Sequence, residues 1–400
     1  MTTASDSHHL RARRGPVRRT ERALAPDLTR GFMLLFIALA NCAGVVFASQ
    51  PGVEPHPTGV ERWIQPAMFV FVNSHAYPVF AIMFGYGLVQ MARRQSEAGA
   101  SPAQVRSIVV RRNAWLIVFG AVHGALLYYG DFLGAYGVVG VVATIVLLQR
   151  SERVHRIVLW LWVISTVYVV VLAVPALTGR SGSAGVPAEQ VNSLSAQSYR
   201  ASFGDRIAEW PPHTVTVFGF VIIVWLGMWG ARRRLLEDPA ANKRLLAWIA
   251  AVGLGIGFAG AVPLALLSAG ALHVDQSTAD AMLRLHGASG MFAGPGYAAL
   301  FGLITIAISR RPVGRLTRTF ASLGRRSLSG YLFQSIAWLV LLAPYTLDLG
   351  NRWGSRTVNA LVIGLAIWLV SVGAAAWMDR RSIRGPAESV LRRLTYGRVT

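Results

Sequence analysis

Lysine, cysteine and acidic residues are all scarce in this 400-residue chain, and each shortage narrows what the chain can be. Cys42 is the single cysteine, which excludes an internal disulfide and a thiolate metal cluster. Set within an apolar run, it reads as a small buried residue. Charged residues make up only 14% of the chain against 54% hydrophobic, and the mean hydropathy is +0.46. A soluble protein of this length needs far more polar surface to cover its cores, so the composition fits lipid as solvent. No glycine-rich phosphate loop follows a strand pattern, and neither a tandem repeat nor a soluble domain separates from the apolar runs.

Basic residues are what the chain does have: 39 Lys and Arg against 18 Asp and Glu, with Lys243 the only lysine. They are dispersed in short clusters between apolar runs rather than gathered in one region. That pattern belongs to membrane topology and argues against a nucleic-acid partner. About 20 apolar residues cross the hydrocarbon core, and ten stretches qualify, near 31–49, 65–91, 113–129, 133–149, 157–177, 214–230, 245–269, 290–308, 328–346 and 357–377. Counted on alternate sides, 32 basic residues fall on the side of the termini and 7 on the other. The positive-inside rule then puts both ends in the cytoplasm.

The expected fold class is therefore all-α: a polytopic membrane helix bundle of about ten transmembrane helices in the inner (plasma) membrane. A basic cytoplasmic tail covers 1–30, a multi-span membrane domain 31–378, and a cytoplasmic C-terminal tail with a short interfacial helix 379–400. The first 30 residues contain Pro16 and Pro26 but no small-residue cleavage site, so the first span doubles as the insertion signal. In the tail, "GPAESVLRRLTYG" sets Pro386 at a helix start and arginines toward its end, as dipole and capping preferences favour. The long outer connection, 178–213, is rich in Ser, Gly and Ala before "RIAEWPPH", which reads as a short interfacial helix ending near Trp210.

Five short segments carry a resemblance. They are "APDLTRGFMLLFIALAN" with Asp27, Arg30, Gly31 and Asn41; "FAIMFGYGL" (80–88); "GAVHGALLYYGDFLGAYGVVG" (120–140) with His123, Asp131 and Tyr136; "LGRRSLSGYLFQS" (323–335); and "RGPAESVLRRLTYG" (384–397). In this order and spread over nearly the whole chain, they resemble the YeiB-like family of bacterial integral membrane proteins, a domain family of unknown function (domain of unknown function 418). One departure is Gly330, where the family pattern has Asn. The family is in turn similar, in span count and motif placement, to the transmembrane acyltransferases. That fold-level likeness implies acyl transfer from a cytoplasmic donor to an acceptor on the far side.

Polar groups within spans are costly, so each calls for a role. At about 1.5 Å per residue, Asn41 stands roughly 16 Å above Arg30, His123 roughly 16 Å above Arg112, and Gln334 roughly 12 Å above Arg326. Three helices thus offer hydrogen-bonding groups near one mid-membrane level. His75 and Asp131 stand higher, as if lining an outer mouth. His123 is the candidate general base, because an imidazole titrates near neutrality; its plain reading is an interhelical hydrogen bond. Asp131 orients that imidazole, holds a cation, or caps the helix starting near Leu133.

His75 precedes Pro78, whose missing N–H weakens the helix, as at substrate sites in transporters. With Asn41 and Gln334 it is a candidate substrate-binding residue. Arg30, three residues from Asp27, reads as a positive-inside anchor or as a contact for a phosphate of coenzyme A or a lipid. Arg232–Arg234 and Arg325–Arg326 read the same two ways. Gly85, Gly87 and the run at 253–260 read as close helix contacts. Two functions stay open beside a non-catalytic membrane scaffold. One is an acyltransferase-like enzyme taking an acyl-CoA donor and an envelope glycan or lipid acceptor. The other is a permease for a small solute with the same residues along its path. No cofactor beyond the acyl donor and no metal is called for; membrane lipids are expected partners.

Overall fold

Lipid offers no partner to a backbone N–H or C=O, so a chain dissolved in it must pair those groups within itself, and helices do this locally. The computed structural model describes residues 23–309 and 314–397, and they are almost wholly helical. The basic tail expected over 1–30 lies outside the described residues up to residue 22. In chain order the helices are α1 (Leu24–Phe47), α2 (Glu61–Phe71), α3 (Ala76–Glu97), α4 (Pro102–Leu126), α5 (Leu133–Val146), α6 (Glu152–Leu177) and the single turn α7 (Asn192–Ser195). They continue with α8 (Tyr199–Val217), α9 (Val221–Arg232), α10 (Lys243–Ser268), α11 (Gln276–Ile308), α12 (Arg315–Gly324), α13 (Ser327–Leu342), α14 (Arg356–Arg380) and α15 (Pro386–Tyr396). Strand β1 (Ser49–Gln50) pairs antiparallel with β2 (Glu189–Gln190), tying the long connection before α8 to the end of α1.

All ten expected stretches are helical. Among the described residues, seven helical segments are long and apolar enough to cross a bilayer by length and composition, two of them formed by α2–α3 and α8–α9. The remaining three stretches fall in α4, α5 and α13. Helices α5 and α13 have 14 and 16 residues, roughly 21 and 24 Å at 1.5 Å per residue, short of the 30 Å hydrocarbon core. The exterior is apolar: α6 exposes Trp160, Ile164, Val167, Val171 and Val174, and α10 exposes Trp248 and Val252. Apolar surface on that scale is stable against lipid and not against water.

Helix α1 packs against α3, α11, α12, α13 and α14. Close crossings use small residues, as expected where lipid removes the hydrophobic drive between helices. A Cβ on Gly253 would lie 2.6 Å from the Phe292 carbonyl oxygen, and one on Gly257 would lie 2.9 Å from Ala293 Cβ, so α10 and α11 meet almost backbone to backbone. The family departure at Gly330 has a local cause as well. A Cβ there would stand 2.9 Å from Leu323 Cδ1 and 3.1 Å from Leu34 Cδ1, so a larger residue would have to push aside the ends of those two leucines.

Three elements differ from the sequence expectation. Trp210 is in the middle of α8, which runs on through Pro211 and Pro212 toward α9, rather than at the end of a short helix. Helix α12 was not anticipated; it is strongly two-faced and buries Ala321 and Leu323. Helix α15 begins with Pro386 as expected, yet it buries Ala387, Leu391 and Thr395 and packs on α4 and α13 instead of lying free on a surface.

Ion pairs lock that corner. Arg325 Nη2 is 2.9 Å from Asp379 Oδ1 and Arg326 Nη1 is 3.3 Å from it. Glu388 of α15 accepts hydrogen bonds from the N–H groups of Leu328 (2.8 Å) and Ser329 (3.1 Å), in the first turn of α13. A carboxylate belongs there, on orphan amides at the positive end of a helix dipole. Glu388→Ala is expected to lose about 1–2 kcal/mol of stability, the usual cost of a lost helix cap; thermal unfolding of the purified protein in detergent checks it.

Candidate functional site

The connection from α4 to α5 places a buried imidazole beside a buried carboxylate. His123, in the last turn of α4, and Asp131, two residues before α5, are 2% and 0% exposed. His123 Nδ1 lies 2.9 Å from Asp131 Oδ1, off the axis of the ring N–H. On its other side His123 Nε2 is 2.8 Å from the hydroxyl of Ser335 in α13, itself 1% exposed. Ser335, His123 and Asp131 thus stand in a row between α13, the end of α4 and the start of α5, with a hydrogen bond between serine and imidazole and a close, unaligned approach of imidazole to carboxylate. In the tautomer with the proton on Nδ1, Nε2 accepts from the Ser335 hydroxyl.

Asp131 does two of the jobs foreseen for it. Its Oδ1 accepts from Leu133 N–H at 3.1 Å and its Oδ2 from Gly134 N–H at 2.7 Å, capping α5. The same carboxylate faces the imidazole. A further donor is the Trp210 indole N–H, 3.4 Å from Oδ2. Helix α8 brings that ring in, and glycines give it room: a Cβ on Gly124 would overlap the indole, and one on Gly134 would stand 2.8 Å from Trp210 Cζ2. Arg206, one turn before Trp210, anchors the helix by donating from Nε to the Ala125 carbonyl at 2.9 Å, an orphan acceptor at the end of α4.

A cavity of about 550 Å³ opens between the starts of α1, α5 and α13, the ends of α3 and α14, the middle of α4 and helix α15. Such a volume is typical for a small-molecule site. Seven arginines line it, among them Arg30, Arg112, Arg325 and Arg326, against two carboxylates, Asp379 and Glu388. Arg30 sits 3.9 Å from Asp27 and donates to the Met83 carbonyl at 3.3 Å. Among the described residues Arg112 has no carboxylate within ion-pair distance; its contacts are Asn113 Oδ1 at 3.4 Å and the Phe84 ring at 6.0 Å. Tyr331 also lines the cavity. Its ring lies tilted against His123 with 5.0 Å between centroids, so a single side chain separates the arginine-lined space from the imidazole.

The remaining predicted residues are dispersed. Asn41 accepts from the Tyr128 hydroxyl at 3.2 Å, and Gln334 donates to the Leu34 carbonyl at 3.1 Å; neither lines the cavity. His75 is 0% exposed at the start of α3, with the His286 ring 6.1 Å away, so His75 and Asp131 are buried and do not line a mouth. Asn41, His123 and Gln334, expected at one level, have different neighbours: Tyr128, Ser335 and Leu34. Sequence reasoning missed Ser335, Tyr331, Trp210 and Arg112. Ser335 carries no mark of its own, since its partner is 212 positions away.

Apolar helices around buried polar contacts define a multi-pass α-helical membrane protein. Residues 230–398 match the family model described as "Protein of unknown function (DUF418)", which bears out the YeiB-like resemblance. Two of the five motif segments lie inside that match. Over nearly the full length the chain is similar to an "Uncharacterized 39.9 kDa protein in amylase 3'region" of Bacillus acidopullulyticus, with 25% identity covering 96% of each chain. It is also similar to the "Uncharacterized protein YxaH" of Bacillus subtilis (strain 168), with 23% identity covering 95% of this chain and 96% of the relative.

Proposed function

We propose that this protein is an acyltransferase of the inner membrane, with both termini and the arginine-lined cavity on the cytoplasmic side, a membrane domain over 31–378 and cytoplasmic tails on either side of it. The observation that carries this reading is the single-residue wall, Tyr331, between a basic cavity and a serine–imidazole–carboxylate row. An acyl-CoA donor brings phosphates, which guanidinium groups hold well. Arg112 and Arg30 are placed to receive them. His123 accepts a proton from the attacking hydroxyl, and Asp131 stabilises the imidazolium that results. The acceptor is an envelope glycan or lipid approaching from the face that Trp210 covers; the surrounding partner is membrane lipid, and nucleic acid has no place in the reading.

His123→Ala is expected to lower transfer of labelled acyl groups from a thioester donor to envelope acceptors by at least about 100-fold, the low end for a lost general base. Membranes from a strain lacking the endogenous protein, supplied with either form, make the comparison. Unchanged transfer by a folded His123→Ala protein would remove the imidazole from the chemistry.

One observation favours a second reading, a small-solute permease. The cavity lies toward the arginine-rich helix ends, and Trp210 covers the other side of the site, as in a transporter resting in one access state. Solute counterflow in proteoliposomes without any acyl donor would support that reading over the enzyme.

A further inference from the structure

We infer that Ser335 is a nucleophile that carries the acyl group as a covalent ester between the two faces of the membrane, an inference that rests on the acyltransferase reading. The Ser335 hydroxyl has two acceptors in reach, His123 Nε2 at 2.8 Å and the Tyr331 carbonyl at 3.3 Å. The shorter contact is to the imidazole, the orientation that activates a serine. His123 is in turn backed by Asp131, whose oxygens already accept two amide N–H groups and the Trp210 indole. The order of groups is that of a hydrolase triad, and a small rotation of the imidazole would turn its Nδ1–H onto Asp131 Oδ1, 2.9 Å away.

Position argues for a relay. Ser335 is one helical turn from Tyr331, which walls the arginine-lined cavity. On the other side His123 and Asp131 lie under Trp210. A group held on Ser335 is thus one side chain from each compartment, and a donor confined to one face never has to meet an acceptor confined to the other.

In the first half-reaction Tyr331 swings aside and the Ser335 oxygen attacks the thioester carbonyl while His123 takes the hydroxyl proton. The carbon–sulfur bond breaks, the proton passes to the departing thiolate, and a serine ester and a free thiol remain. In the second, an acceptor hydroxyl gives its proton to His123 and attacks the ester. The serine oxygen leaves and regains that proton, and the acceptor carries the acyl group. No oxidant, reductant or metal enters either step.

The test uses the full chain purified in detergent with two probes, a fluorophosphonate and radiolabelled acetyl-coenzyme A, and locates the modified residue by mass spectrometry. The expected result is a stable adduct on Ser335 with the fluorophosphonate, at least 10-fold slower to form in His123→Ala and absent in Ser335→Ala, together with an acetyl ester on Ser335 when no acceptor is supplied. In Ser335→Cys the acetyl group is expected on the new thiol. Folding of each variant is followed by size-exclusion profile. No adduct on Ser335, with Ser335→Ala transferring acyl groups at the wild-type rate, would overturn the relay while leaving the enzyme reading and His123 in place. Neither adduct nor transfer by the wild-type protein would overturn both.

Discussion

Asp131→Ala is expected to lower stability by about 3–5 kcal/mol, the range for breaking a buried charged contact by removing one member. The carboxylate is 0% exposed and serves four donors or partners at once: the amides of Leu133 and Gly134, the Trp210 indole and the His123 ring. Alanine leaves two amides in the first turn of α5 without an acceptor and removes the group that holds α8 against the α4–α5 pair. Asp131→Asn separates the two duties. Its amide oxygen still accepts at the start of α5, so stability falls less, but the negative charge facing the imidazole is gone. The expected pattern is near-normal unfolding for Asn with acyl transfer strongly reduced, and loss of both for Ala. Tryptophan fluorescence during thermal unfolding in detergent, run beside the transfer assay, reads the two effects separately. Wild-type unfolding by Asp131→Ala would show that the carboxylate pins nothing.

How much of this was legible in the sequence depends on the kind of information each feature needs. Hydropathy and length reveal an apolar helix without any knowledge of its neighbours, so the ten stretches fall on helices, seven of them in segments long and apolar enough to span among the described residues. The turn at "YYGDFLG" was legible for the same reason: Asp131 and the amides it caps are two and three residues apart. His123 was singled out because an imidazole in an apolar segment is costly wherever it faces. Its partnership with Asp131 was readable as one of three options, since eight residues and a tight turn separate them.

What was hidden is azimuth. Rise per residue gives height along a helix, yet the direction of a side chain at that height depends on which helices are neighbours. Asn41, Gln334 and His123, placed at one level by rise alone, meet Tyr128, Leu34 and Ser335 respectively. Ser335, next to Gln334, is the residue that reaches the imidazole, and nothing local distinguishes the two. Height also misplaced the opening: the cavity lies toward the arginine-rich ends, where Arg325 and Arg326 share a space with Arg30, while Arg232–Arg234 pair with Glu152 and Glu97 outside it. A charge cluster satisfies the positive-inside rule from any rotation about its helix, so that rule is silent on whether the side chains converge.

The two glycines of "FGYG" extend the same argument to packing, because the sequence treats them alike and the fold does not. A Cβ on Gly85 would overlap the carbonyl of Val224 in α9, and a Cβ on Gly227 in α9 would overlap the carbonyl of Ile82 in α3. The crossing is reciprocal, backbone against backbone, and neither helix can yield without breaking its hydrogen-bond ladder. Gly87, half a turn away, meets only the end of the Arg30 side chain, at 3.2 Å from Nη2, and that flexible group can move. Gly85→Ala is therefore expected to cost about 3 kcal/mol or more, the upper end for overpacking, with most of the expressed protein aggregated on size-exclusion chromatography. Gly87→Ala should elute as wild type with an unfolding midpoint within a few degrees of it, while shifting Arg30 enough to weaken binding of an anionic donor in the cavity. Equal destabilisation by both would mean that α3 and α9 cross elsewhere. Because α9 and α3 meet there and Met83 of α3 accepts the Arg30 hydrogen bond, a correctly seated Gly85 is also what holds that wall of the cavity in place.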